Sequence, residues 1–492
     1  MPSPLDTATH PEKLRRVVIE PVSRVEGHGK VTILLDDQKR VQQVRLHIVE
    51  FRGFERFIQG RPYWEVPVMV QRLCGICPVS HHLASSKALD QVVGAAQVPA
   101  AAERIRRLAH YGQILQSHAL HFYHLASPDL LFGFDSEVER RNVVGVLADH
   151  PDIARQGILL RKYGQEIIRI TMGKRVHGTG SIPGGVNKRI SADERDELAV
   201  ALPEVLRWAQ GGVELVRTLY RQNRELYDHF GTVRSSLLSL VGRDGKLDLY
   251  DGVLRARDAD GQLIFDQVES RDYGAYLREN VRSWSYMKFP FILSRGAEEG
   301  WYKVGPLARI QNCDAIGTPR AEEARQALLS EAPGGLIHAP LSFHAARMIE
   351  LLHAAEVIQA LLADPALLGE ELVARGARQR SGVGIIEAPR GTLIHHYEVG
   401  DDDLVTMCNL IVSTTHNNQA MNEAIREVAR RYLDGQEPTE GLLNHIEVAI
   451  RAFDPCLSCA THAMGKMPLA VEILDEQGTL VRRLVRDSER CG

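Results

Sequence analysis

Four of the seven cysteines stand in two CxxC pairs, each followed closely by a histidine. The first motif is Arg72-Leu73-Cys74-Gly75-Ile76-Cys77, with His81 after it. The second is Asp454-Pro455-Cys456-Leu457-Ser458-Cys459, with His462 after it. A CxxC on a turn or at a helix start points two sulfurs at one centre. Thiolates are the soft ligands that suit Zn, Ni, Cu(I) and iron–sulfur sites. One CxxC alone reads equally as half of a structural zinc site or as a redox pair. Two pairs in a chain otherwise poor in cysteine favour one shared metal. A small zinc ribbon closes its second pair within about 15–20 residues. Here the pairs lie near opposite ends of the chain, so a shared site would join the two ends of a large fold, as a catalytic centre does. The spacing does not choose among zinc, an iron–sulfur cluster and nickel.

The elements that must position these sulfurs read as α+β, predominantly helical. Val17–Ile19, Val31–Leu35 and Val44–Val49 are β-rich runs, with Asp36-Asp37 as a turn, so residues 1–65 form a small meander. Residues 66–230 read as helical, with helices over 79–94, 101–125, 151–172 and 191–228. Pro151 suits a first helical position. The turn-rich stretch 231–310 reads as strands and loops with a short helix near 272–282. In 311–462, Met348, Leu351, Leu352, Ala355, Ile358 and Leu362 mark an amphipathic helix over 342–363, ended by Pro365. Strands follow at 383–387 and 404–412, and helices at 418–433 and 439–452. With no Pro/Ser-rich linker, 1–462 reads as one domain: a central bundle of long helices with small peripheral sheets.

Composition bounds the rest. The chain has 492 residues, 44% hydrophobic and 25% charged, with a formal net charge of -4 from 59 basic and 63 acidic residues. This excludes a disordered chain or a disulfide miniprotein and argues against a general nucleic-acid binder. No run of 18 apolar residues implies a membrane span. The N-terminal stretch has no apolar signal region, so the expected location is cytoplasmic.

The two cysteine motifs together resemble the signature pair of the large subunit of nickel–iron hydrogenases. The resemblance continues in Arg24-Val25-Glu26-Gly27-His28, in Arg52-Gly53-Phe54-Glu55 and in Glu387-Ala388-Pro389-Arg390-Gly391. Stretches such as VEFRGFE, SIPGGV, WSYMKFP and DPCLSCATH are most similar to the bidirectional, NAD-coupled subgroup. The resemblance implies the nickel–iron hydrogenase large-subunit fold and a Ni–Fe(CO)(CN)2 centre. Cys74 and Cys456 would be terminal Ni ligands, and Cys77 and Cys459 would bridge Ni to Fe. It implies Glu26 as the proton relay beside Cys456, itself the first proton acceptor. Arg390 would lie over the open metal position, flanked by Pro389 and Asp454. Thr414 would be a second donor to cyanide, and His81 would be hydrogen-bonded to a bridging thiolate. Glu55, His462 and the carbonyl of Leu410 match the ligands of a buried Mg2+. His395, His396 and Tyr397 receive no role.

Two positions depart from the family pattern. Ser413-Thr414-Thr415-His416 stands where Val-Pro-Ser/Thr-Thr-Trp is common, and Ser117 stands where many relatives have an aspartate. After His462 the chain continues as a tail whose 469–473 and 479–485 read as a β-hairpin. The resemblance implies that a maturation endopeptidase cuts between His462 and Ala463 once nickel-insertion factors have acted, removing 463–492. Electrons must leave through partners. Cys313, Cys408 and Cys491 are too few for another four-cysteine cluster, and no GxGxxG or Walker motif is present. The implied partners are diaphorase subunits, which carry FMN and iron–sulfur clusters and reduce NAD, and a small iron–sulfur subunit. Coupling to NADP or a deazaflavin, or a hydrogen-sensing role, are the alternatives.

Overall fold

The computed structural model describes residue 5, residues 8–95, 97–332 and 335–461, and the backbone of 469–474 and 480–486. The N-terminal meander is an antiparallel sheet of Arg15–Ile19, Gly29–Leu35 and Val41–Ile48 in that order. Asp36 closes the turn between the last two strands, its carboxylate accepting from Gln38 N and Arg40 N.

The long helices form as their periodicity predicts. Ala100–Leu120 packs on Pro151–Met172 and on Ser342–Ala363, and the last of these packs on Ala192–Gln222. Ser191 and Glu194 make a reciprocal capping box at the start of the 192–222 helix, satisfying amides that its first turn leaves open. Pro151 occupies the first turn of its helix. One apolar cluster runs from Val22 to Ala460 and takes in all four motif cysteines, so the sulfurs sit within the core.

Four readings need correction. Near 272–282 there is a 3-10 turn, Ser270–Ala275, followed by the strand Leu277–Asn280 paired with Phe289–Ile292. The cause is tertiary, because the pairing partner lies beyond the local window. A helix, Pro306–Asn312, closes the stretch read as strands and loops, with a proline in its first turn. The Ser342–Ala363 helix is buried on nearly all sides rather than amphipathic, because its polar residues Arg347, Glu350 and His353 meet other buried polar groups. Finally, the strands Ser381–Ala388 and Val405–Ile411 flank a third, Gly391–Val399, which pairs antiparallel with both. Both faces of its first five residues are covered, and alternation appears only at His396 and Glu398 near its end. In the tail, Leu469–Leu474 pairs antiparallel with Leu480–Arg486, the hairpin expected there. Among the described residues no helix is long and apolar enough to cross a membrane.

Candidate metal centre

The first cysteine pair is shaped by a helix start. A 3-10 turn, Val70–Leu73, delivers Cys74, and Cys77 caps the helix Pro78–Val92, whose first residue is a proline. In this turn the Ile76 and Cys77 amides donate to Cys74 Sγ at 3.2 and 3.1 Å. Burial alone would raise the Cys74 thiol, but hydrogen bonds from Cys77 hold it below the ordinary range. Its hydrogen bond with Cys74 and its own burial push Cys77 up.

The second pair follows the helix Glu440–Ala452. Asp454 takes a left-handed conformation (φ 54°), turning the chain back into the core. Thr414 Oγ1 accepts from Cys456 N at 2.9 Å and fixes the turn. The four sulfurs lie within 4.8 Å of one another, all buried. Cys74 and Cys456 are 3.3 Å apart, Cys77 and Cys459 are 3.8 Å apart, and the Cys456 and Cys459 sulfurs touch.

The N-terminal loop reaches this cluster through a single residue. Glu26 pairs with Cys456 in an isolated parallel bridge, and its carbonyl accepts from Leu457 N at 2.9 Å. Its carboxylate Oε2 accepts from Cys456 Sγ at 3.0 Å and from Ser458 N at 3.1 Å. Gly27 follows at φ 81°, and a Cβ there would sit 2.5 Å from Ser458 N. Only glycine lets the two ends approach this closely. Arg24 donates to Asp129 at 2.6 Å, and Arg451 donates to the same carboxylate at 3.0 Å, which clamps the loop to the helix that leads to Cys456.

Arg390 enters from the tight turn between Ser381–Ala388 and Gly391–Val399. Gly391 has φ 138° and packs against Val304 at a distance no Cβ allows. Arg390 is buried and donates to Asp454 at 3.0 Å and toward Ser117 Oγ at 3.5 Å. Its Nε has no partner among the described residues. Behind the turn, Arg309 donates to the Ala388 and Pro389 carbonyls, to Glu387 at 3.0 Å and to Glu350 at 2.5–2.7 Å. His118 completes this buried network through Glu350 at 3.0 Å. Nothing in sequence spacing pointed to Arg309, Glu350 or His118, because the elements that join them are tertiary neighbours.

Cys77, Cys456, Cys459, His81, Pro389, Arg390 and Thr414 line one small cavity, closed by Ala388, Leu393 and Val412. A larger groove of about 280 Å3 lies between the helices 192–222, 319–330 and 342–363, and neither cysteine nor histidine lines it. Of the three residues expected to bind Mg2+, Glu55 and Leu410 are neighbours, away from that cavity. Glu55 Oε1 accepts from Leu410 N at 2.9 Å, and Lys288 lies 3.5 Å from Glu55 and 3.0 Å from Glu279. Burial pushes the Glu55 carboxyl up to about 7. His462 and Ala463 lie outside the described residues.

The nickel-dependent hydrogenase pattern matches residues 52–132 and 255–462, both cysteine motifs included. The chain belongs to the nickel-dependent hydrogenase family. A HoxL-like pattern matches residues 16–51, the segment carrying Glu26. The NAD-reducing hydrogenase HoxS subunit beta of Cupriavidus necator is 45% identical over 96% of this chain and 100% of its own length. One subunit of the F420-non-reducing hydrogenase of Methanothermobacter thermautotrophicus is 41% identical over 95% of this chain and 100% of its own length. A crystal structure of an NAD+-reducing [NiFe]-hydrogenase superposes with a TM-score of 0.90 at 59% identity, over 91% of this chain and 99% of that one. The large-subunit fold of nickel–iron hydrogenases, helical with small sheets, is therefore the fold of this chain, and it is a nickel-dependent hydrogenase with a buried four-cysteine cluster placed to hold a metal.

Proposed function

We propose that this hydrogenase chain, as one domain over 1–462, is the hydrogen-activating subunit of a cytoplasmic enzyme that reversibly couples H2 to NAD. The observation that carries this is a cluster of four buried sulfurs from both ends of the chain, with Glu26 on Cys456 and Arg390 lining a cavity beside three of them. Similarity to the NAD-reducing hydrogenase of Cupriavidus necator supports the choice of acceptor.

The donor set fits a soft metal pair. Cys74 and Cys456 would hold nickel terminally, and Cys77 and Cys459 would bridge it to iron. The unpartnered Arg390 Nε and the Thr414 hydroxyl, in a cavity closed by Ala388, Pro389, Leu393 and Val412, fit anionic diatomic ligands such as the cyanides of an Fe(CO)(CN)2 unit. When bound, that pair supplies the site at which the H–H bond is polarised and its two electrons are taken up. The protein's own part is the proton. Cys456 Sγ takes it and passes it across 3.0 Å to Glu26, which lies only partly buried and leads outward. Asp454 holds the Arg390 guanidinium over the cavity, and Ser117 supplies a second, neutral contact.

Glu55, the Leu410 carbonyl and His462 would bind Mg2+. The buried Glu55 and the half-buried Glu279 share one lysine there, and Glu279 Oε1 has no partner among the described residues, so the site suits a further cation. Maturation would end the chain at His462 by endopeptidase cleavage before Ala463, after nickel insertion. A small iron–sulfur subunit would then take the electrons to flavin-containing diaphorase subunits. Purified complex given H2 should reduce NAD+ in preference to NADP+ or a deazaflavin. Reduction of an artificial dye but not of NAD+ would contradict the acceptor assignment.

A further inference from the structure

Behind Cys77 stands a line of three buried polar rings, of which only His81 lines the metal cavity. His81 Nδ1 lies 3.1 Å from His395 Nε2, and His395 Nδ1 lies 2.6 Å from the Tyr397 hydroxyl. All three side chains are buried to 1% exposure or less. His81 sits one turn beyond Cys77 on the helix Pro78–Val92 and lines the cavity with Cys77 and Cys459. His395 and Tyr397 are two residues apart on Gly391–Val399, so they share the face that packs on this helix.

A neutral imidazole has one donor and one acceptor nitrogen, so the chain of rings runs in one of two directions. Burial holds the His81 ring neutral, at about 3. In one direction His81 Nδ1–H donates outward, and Nε2 is left with a lone pair. In the other, the Tyr397 hydroxyl donates to His395 Nδ1, and His395 Nε2–H donates to His81 Nδ1. Nε2–H is then the donor left to His81, whose ring lines the cavity with Cys77 and Cys459. A backbone carbonyl at the far end, a common partner of a histidine Nδ1, would impose the first direction. A phenol, able to donate, permits the second.

We propose that Tyr397, acting through His395, biases His81 toward the Nε2–H tautomer, so that its ring offers an N–H within the cavity that it lines together with Cys77 and Cys459. This rests on the nickel–iron reading of the cavity. Tyr397 and His395 are positioning residues: they set which His81 nitrogen carries the proton, and hydrogen bonds to sulfur tune the electron density and potential of thiolate-held metals.

The test is infrared spectroscopy of the holoenzyme, isolated with its partner subunits, in the region of metal-bound CO and cyanide. A thiolate that loses a donor pushes more electron density onto iron and from there into the C–O antibonding orbitals. Tyr397→Phe keeps the ring and removes only the hydroxyl, and it should move the CO band to lower wavenumber. His395→Leu should do the same. His395→Gln offers an amide N–H to His81 Nδ1 and should return the band toward its wild-type position, which a purely structural role would not achieve. The two His395 variants give this comparison whether or not the phenylalanine variant loads metal. A CO band at the wild-type position in the phenylalanine and leucine variants would overturn the inference alone. Absence of any CO or cyanide band from the wild-type enzyme would overturn the iron-ligand reading and the inference with it.

Discussion

Replacing Glu26 by glutamine isolates the proton step from the fold. The amide keeps the shape and an oxygen, so the bond from Ser458 N at 3.1 Å and the backbone bond from Leu457 N both survive. The stability cost is therefore limited to one weakened hydrogen bond, about 1 kcal/mol. The oxygen 3.0 Å from Cys456 Sγ, by contrast, loses its ability to take a proton. General acid–base transfer contributes about 10²–10⁴-fold to rate. That is about 3–5 kcal/mol of barrier, well above the stability term. Glu26→Asp retains the acid but withdraws it by about 1.5 Å, to roughly 4.5 Å from the sulfur, beyond direct transfer. The assay is dye-linked H2 oxidation beside nickel content and thermal midpoint. The expected result is full nickel loading, a near-native midpoint, turnover in the glutamine variant reduced by about two to four decades and an intermediate loss in the aspartate variant. A loaded glutamine variant turning over at close to the wild-type rate would refute the assignment of Glu26 as relay.

Two further outcomes follow from the geometry. Gly27→Ala puts a Cβ at φ 81° and 2.5 Å from Ser458 N, and should destabilise the chain by about 2–4 kcal/mol and reduce nickel retention, read by denaturant unfolding and metal analysis. Burial pulls His82 and His353 down to about 4, and His110 and His416 to about 3. The unfolded chain binds those protons from about pH 6.5 downward while the folded chain does not, so stability falls as pH drops from 6.5 toward 4. Each histidine adds about 1.4 kcal/mol per pH unit within that window. A denaturant midpoint unchanged between pH 7 and pH 5 would contradict this.

The sequence was legible where chemistry is concentrated in residue type. The two cysteine pairs meet, Glu26 reaches Cys456, and Arg390 lines the cavity beside three of the sulfurs. Long helices announced themselves through composition and period, and one through Pro151 at its start. What stayed hidden depends on partners distant in the chain. The first five residues of Gly391–Val399 are covered on both faces, so alternation marks only the strand's last few residues. Arg309, Glu350 and His118 look like surface charges on helices until three elements bring them together at the Pro389-Arg390 turn. The same holds for His395 and Tyr397, whose connection to the metal cavity runs through His81 on another element.

The central claim is that the four converging sulfurs hold nickel for hydrogen chemistry. Metal analysis of the complex purified from its own host tests this most directly, on wild type and on Cys459→Ala. Stoichiometric nickel in the wild type, lost in the variant together with H2 oxidation, is the predicted result. Zinc in place of nickel in active-length wild-type chain, or nickel retained in the variant, would contradict it.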